Sequence, residues 1–442
     1  MPSKNTSTLR KRVLKSSSWT IVGYGLNQVL RLGGNLVLTR LLFPEAFGLM
    51  AICMVVIYGV HMFTDVGAGP SIVQKDQGNE PSFVNTVWTV QIIRGFLVWL
   101  VMCILAYPIS IIYTEPQLIS MIPVVGLGAI ISSFNSTKLF TAQRNFEQAR
   151  ATQIDIGSNA IGILGTIYLA WLLHSVWALV WGSMIASCVK MFASHVALHG
   201  INNRFAWNRD ALDHLRGFGR WILLNSALTF LSAEGARLFI GAVLDMRQLA
   251  FFTLANTMNL MFWQAMQSVV WQVFFPAYAE VNRSNPKNLI SVLYKVRLSL
   301  ILPNWGLAVL FIYFGSQIMG VLYDKRYHDS GPMLELLAAG SLVGCIWGSY
   351  SGVLLGMGKA ASMTVLTAIQ IVCQIGAMYL GYLYWGSVGM VMGVAGANWI
   401  MFPLNSFVMY RHGLWQAKLD LLFFAISLLI VMLVWTRLTS IG

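Results

Sequence analysis

Charge is what this sequence has little of. Only 10% of its 442 residues are charged, with 16 acids against 29 lysines and arginines. Ordinary soluble domains carry about 25%, so a water-facing globule of this size is excluded. Cysteine is rarer still, at five residues. Cys53, Cys103, Cys188, Cys345 and Cys373 all fall in apolar stretches and at no metal-ligand spacing. That pattern argues for packing thiols, with no disulfide and no metal site. No phosphate-cradling glycine loop is present, so direct ATP coupling is not expected. No small-residue cleavage site follows the basic start MPSKNTSTLRKRVLKSSSW, and residues 1–18 read as a retained cytoplasmic N-terminus, not a signal peptide. The net charge of +13 does not point to nucleic acid, because the basic residues are scattered over short connections.

What is present is apolar length. Hydrophobic residues make up 57% of the chain and the mean hydropathy is +0.67, which indicates a polytopic, all-α integral membrane protein. About thirteen spans can be drawn, near 19–41, 46–67, 84–107, 116–137, 153–173, 176–198, 219–243, 249–276, 293–322, 333–356, 363–385, 387–409 and 419–438. The expected range is therefore about 12–14 transmembrane helices. With the N-terminus inside, 21 of the 29 lysines and arginines fall on inner segments or inner span ends and 5 on the outer side. The positive-inside rule then puts the N-terminus in the cytoplasm.

The longest polar connection, HGINNRFAWNRDALDHLRG from His199 to Gly217, splits the chain. It gives an N-terminal six-helix bundle over 19–198, a cytoplasmic linker over 199–218, a C-terminal six-helix bundle over 219–410 and an extra C-terminal span in 411–442. A weak repeat at an offset of 202 residues agrees: Trp19 falls on Trp221, Leu36 on Leu238, and LFPEAFGLMA on LDMRQLAFFT. Two bundles with a pseudo-twofold relation around a central cavity are the expected fold, and membrane proteins built from such repeats are typically transporters.

Ionisable and amide residues inside the spans are the candidate sites. Arg31 lies near the middle of the first span, with Asn27 and Asn35 one turn to either side on the same face. An arginine at that depth costs at least a few kcal/mol against lipid, so it faces either a paired carboxylate or a cavity open to an anionic ligand. Arg94, near Gln91, and Arg237 are the other intramembrane arginines. Glu234 stands one turn from Arg237, as a neutralising structural partner or as a coupling acid released when an anion takes the arginine. His61 and Asp65 share a face of the second span and are a candidate proton relay, against a blander turn role for Asp65 before Gly-Ala-Gly-Pro. In the eighth span Asn256, Asn259, Trp263, Gln267 and Trp271 recur every three or four residues, with Gln264 beside them. That stripe either binds sugar, through amides and indole faces, or bonds neighbouring helices.

Several stretches carry a family resemblance. They are LTRLLFPEAFGLMAI (38–52), FTDVGAGPSIVQ (63–74), RNFEQAR (144–150), VWALVWGSMIAS (176–187), ARLFIGAVLDMRQLAFFTLA (236–255), FFPAYAEV (274–281) and VLYDKRYHDSGPMLELLAAG (321–340). In this order and spacing the chain resembles the polysaccharide (Wzx-type) flippase branch of the multidrug/oligosaccharidyl-lipid/polysaccharide exporter superfamily. One departure is Ala236, where family members often carry an acid just before the basic position of Arg237. The resemblance implies a transporter, not an enzyme, in a bacterial inner membrane. It would move undecaprenyl-diphosphate-linked oligosaccharide from the cytoplasmic to the outer leaflet among membrane lipids, for polysaccharide biosynthesis and export. A polymerase and glycosyltransferases would be its partners in the pathway; proton or sodium coupling stays open, with no bound cofactor. Arg31, Arg237 and Arg94 then become candidates for the diphosphate, because guanidinium forks match phosphate oxygens and stay charged when desolvated. Asn27, Asn35 and the eighth-span face become candidates for the sugar. A cation-coupled drug exporter is the alternative within the superfamily. A membrane-embedded polymerase or ligase is disfavoured by outer connections as short as YDKRYHDSG, and a scramblase or scaffold role stays open.

Overall fold

A computed structural model describes residues 4–64, 71–72, 80–144, 148–209, 228–270, 289–350, 353–354, 357 and 360–439. Among them there is no strand. In a bilayer every backbone N–H and C=O must be satisfied within its own segment, which leaves the helix as the solution for sequences without barrel periodicity. The helices are α1 (Lys4–Leu41), α2 (Pro44–Phe63), α3 (Pro81–Ile112), α4 (Gln117–Ser133), α5 (Lys138–Arg144), α6 (Gln148–Leu173) and α7 (Trp177–Val196). They are followed by α8 (228–243), α9 (Met246–Val269), α10 (Leu289–Leu322), α11 (Ser330–Gly348), α12 (Ala360–Arg411) and α13 (Ala417–Thr439). Seven of them are long and apolar enough to cross a membrane. The chain forms two compact units, Met1–Phe230 and Leu231–Gly442.

The offset of 202 is visible in the helix boundaries. α1 ends at Leu41 and α2 starts at Pro44; α8 ends at 243 and α9 starts at Met246. The two breaks use different chemistry. Pro44 opens α2 as a first-turn proline, which lacks the N–H that would be orphaned there. Asp245 opens α9 as an N-cap, its carboxylate accepting from Gln248 N at 2.7 Å.

In the first unit, small residues let the helices close. A Cβ added to Gly34 of α1 would stand 2.7 Å from the Ile163 side chain of α6, and one at Gly162 of α6 would stand 2.5 Å from Ala186 of α7. Close approach of this kind holds helices together where lipid removes any hydrophobic drive. The segment after α7 does not hang free. The backbone N–H groups of Arg204, Ala206 and Asn208 donate to Asn85, Thr89 and Thr86 of α3, each at 3.1 Å. The alternation of those donors is that of an extended strand. Phe205 rests on Trp88, with ring centroids 5.1 Å apart.

In the second unit, α12 is broken at Trp385–Gly386, where Gly386 has φ +59° and ψ −139°. Only glycine adopts that conformation without strain. It divides α12 into two arms, matching the spans expected at 363–385 and 387–409, and the arms pack through Gly381, Gly389 and Gly393.

The unit is locked by Arg297 of α10, which is fully buried although its position counted toward the basic inner side. Its guanidinium donates to Asp420 Oδ1 (2.5 Å), Tyr350 OH (2.7 Å), Gln416 Oε1 (3.0 Å), Ser349 Oγ (2.8 Å) and the Ile346 carbonyl (3.3 Å). Tyr350 OH in turn donates to Asp420 Oδ2 at 2.8 Å. One arginine therefore ties α10, α11 and α13 with its whole donor set.

Truncation to Arg297→Ala would strand Asp420, at a cost of about 3–5 kcal/mol. A clearly lower melting temperature of the purified protein is expected. Joint replacement (Arg297→Met with Asp420→Leu) should recover most of the loss. A melting temperature for Arg297→Ala equal to the unaltered protein would show that the network holds nothing.

Candidate polar transport cavity

The eighth-span amides are brought together. Residues three or four apart on a helix share a face, and Asn256, Asn259, Trp263 and Gln267 of α9 all line one cavity of about 310 Å³ inside the second unit. The facing walls come from α11, through Ser341 and Trp347, and from both arms of α12, through Gln370, Gln374 and Asn398. Ser232, Ala233 and Ala236 of α8 complete it.

The shape depends on a glycine row in α11. Gly340, Gly344 and Gly348 are four apart, so they form one stripe. A Cβ at Gly340 would stand 2.6 Å from the Ala395 backbone, and one at Gly348 would collide with the Trp263 indole. The stripe thus admits the second arm of α12 and the indole against the α11 backbone.

The polar groups are only partly engaged with one another. Ser341 Oγ donates to Asn259 Oδ1 at 2.9 Å, Gln370 Nε2 donates to Asn398 Oδ1 at 3.4 Å, and Asn398 Nδ2 donates to the Gly340 carbonyl at 3.2 Å. Each primary amide offers two donors and two acceptor lone pairs, so part of the capacity stays open to the cavity. Asn256 and Gln374 make no side-chain hydrogen bond among the described residues. Among the described residues no lining residue is charged. The cavity can therefore pair with hydroxyls from several directions and offers no counter-ion.

The remaining candidates lie elsewhere. Gln264 is exposed on α9 and does not line the cavity. Asn27 Oδ1 accepts from Asn159 Nδ2 at 3.0 Å, which ties α1 to α6, while Asn35 is half-buried. Arg31 is exposed and makes no ion pair among the described residues. Glu234 and Arg237 of α8 do pair, Oε2 to Nη1 at 2.8 Å, and Arg237 Nε is buried without a partner. Arg237 stands one turn from the cavity-lining Ala233. Arg94 reaches the end of α2, donating to the His61 carbonyl at 2.7 Å and to Thr64 Oγ1 at 3.3 Å, with Nη2 lying 3.5 Å from His61 Nδ1. A cation on the last carbonyls of a helix also meets the negative end of its dipole. Asp65 and Trp271 lie outside the described residues.

Gln370, Gln374, Asn398 and Ser341 are cavity residues that sequence reasoning missed. The two glutamines are four apart and could have been found as a pair; Asn398 has no such signal.

Comparison with known proteins decides the family. Residues 37–332 match the family described as "Polysaccharide biosynthesis protein". The chain belongs to that family. Its relatives include the lipopolysaccharide biosynthesis protein WzxC of Escherichia coli (strain K12), 19% identical over 415 residues, covering 91% of this chain and 82% of WzxC. The succinoglycan biosynthesis transport protein ExoT of Rhizobium meliloti (strain 1021) is 20% identical over 412 residues, covering 90% and 81%. The solved lipid II flippase MurJ, in an inward closed conformation, superposes with a TM-score of 0.71 at 13% identity, covering 95% of this chain and 92% of that one; at that identity the likeness shows the fold alone. Within the polysaccharide biosynthesis family this chain is a membrane transporter, not an enzyme, as its resemblance to Wzx-type flippases implied.

If the cavity is open to water, single cysteines at Gln374 and Asn398, in a variant lacking the native cysteines, should react with a hydrophilic maleimide. A cysteine at Ile346, which is buried, should not. Equal labelling at the three positions would contradict the cavity.

Proposed function

We propose that the protein translocates a lipid-linked oligosaccharide, carried on undecaprenyl diphosphate, across the bacterial inner membrane with its N-terminus in the cytoplasm. The observation that carries this reading is the uncharged, amide- and indole-lined cavity of the second unit. Such a lining suits the hydroxyls and the apolar faces of a sugar, while the long apolar tail can stay in lipid. The neutral lining also disfavours the cation-coupled exporter, whose substrate would need carboxylates to replace its hydration. The names of WzxC and ExoT support the same class.

Arg31, in the first unit, and Arg237, in the second, are each proposed as a separate contact for the diphosphate during its passage. Arg31 is an exposed guanidinium on α1, and Arg237 keeps a buried donor unused beside the cavity-lining face. Glu234 holds Arg237 in the unloaded protein and is released to a proton or cation when the anion binds. Arg94 is left out of this assignment, because its donors are spent on the end of α2.

Loss of the gene should leave lipid-linked oligosaccharide on the cytoplasmic leaflet and remove the surface polysaccharide. Arg31→Gln and Arg237→Gln should each lower export at least tenfold at unchanged protein level. Asn256→Leu with Asn259→Leu should do the same without altering the melting temperature. Normal surface polysaccharide in the deletion strain, or full export by all three variants, would contradict the proposal.

A further inference from the structure

The second unit carries a second cavity that the transport reading does not use. It is a groove of about 640 Å³ between the two arms of α12, at the end away from the Trp385–Gly386 break. Val365, Leu366 and Ile369 line it from the first arm, and Leu404, Phe407 and Val408 from the second. The residues on each arm follow helical spacing over about two turns, so the groove runs along the arms for about 10 Å. At its outer end the lining changes character, to Ser362, Arg411 and His412.

Three features make this more than an apolar face against lipid. The polar groups sit at one end only, so the groove has a head and a tail. The head is cationic: Arg411 is exposed, with its guanidinium 5.9 Å from the Phe407 ring centroid, and among the described residues no acid lines the groove. The head is also a built arrangement, because Ser362 Oγ and His412 Nε2 lie 3.3 Å apart and bridge the two arms. A ligand that fits must carry an acyl-type chain and an anion at one end. Basic pockets between membrane helices on the cytoplasmic side bind anionic lipid headgroups, and on the orientation proposed above the Arg411 end faces that leaflet.

We propose that this groove is a binding site for a resident anionic phospholipid, with one acyl chain between the arms of α12 and the phosphate on Arg411, His412 and Ser362. The site rests on the chain being a membrane protein and not on the transported substrate. It would hold the arms together at the end where no glycine packing closes them, whereas Gly381, Gly389 and Gly393 close the other end.

The test is native mass spectrometry of the purified full-length protein, titrated in turn with phosphatidylglycerol, phosphatidylcholine and inorganic phosphate. Phosphatidylglycerol should be retained at least fivefold more than phosphatidylcholine. Arg411→Gln with His412→Gln should remove that preference. Ile369→Trp, which fills the tail at an accessible position and keeps the charges, should lower retention of phosphatidylglycerol as well. Melting temperatures of both variants in detergent control for folding. Equal retention of the two lipids, unchanged retention in both variants, or saturation by inorganic phosphate alone would overturn the proposal. Displacement of phosphatidylglycerol by undecaprenyl diphosphate at equimolar concentration would overturn it too, since the groove would then belong to the substrate.

Discussion

A polar group carried into a bilayer has no water to fall back on, and that constraint organises this chain. Its largest expression is Arg297. Desolvating a guanidinium costs several kcal/mol, and here the cost is met by five donated bonds drawn from α10, α11 and α13. Arg94 solves the same problem differently, with the His61 carbonyl and the Thr64 hydroxyl at the end of α2 as its acceptors. Asn27 finds Asn159, and the extended segment 201–209 finds the hydroxyls and amide of α3. Bonds of this kind tie one element to the next.

The cavity of the second unit is the exception that gives the constraint functional content. Amides from α9 and from both arms of α12 converge there, with part of their bonding capacity turned toward open space. Buried amides in that state are costly unless a ligand or water completes them. The glycine stripe of α11 makes the convergence possible, since any side chain at Gly340 or Gly348 would push the neighbouring backbone or the Trp263 indole away. Packing and the chemistry of the lining are therefore set by the same few positions.

Much of this was legible in the sequence because it is periodic or local. The α9 face showed through its spacing of three and four. The division of α12 showed through the two apolar lengths at 363–385 and 387–409, and the repeat offset of 202 agrees with where α1 meets α2 and α8 meets α9. What stayed hidden is what depends on distant partners. Arg297 read as one more basic residue at an inner span end, because its acid, Asp420, lies 123 positions away. Asn398 stands alone in an apolar span, and only the folded arms of α12 bring it to Gln370. Arg94 reads as an intramembrane arginine near Gln91, and sequence offers no way to place it at the end of α2.

The central claim is that the amide cavity takes the sugar of a lipid-linked substrate during its passage. The most direct measurement reconstitutes the purified protein in liposomes loaded with a labelled undecaprenyl-diphosphate oligosaccharide, and follows the label's accessibility to a glycan-cleaving enzyme added outside. The account predicts protein-dependent exposure of the labelled glycan, with no such movement when the lipid carries diphosphate but no sugar and much slower movement when Asn256 and Asn259 are both leucine. Equal rates for the sugar-bearing and sugar-free lipids, in the unaltered protein and in the double variant alike, would contradict it.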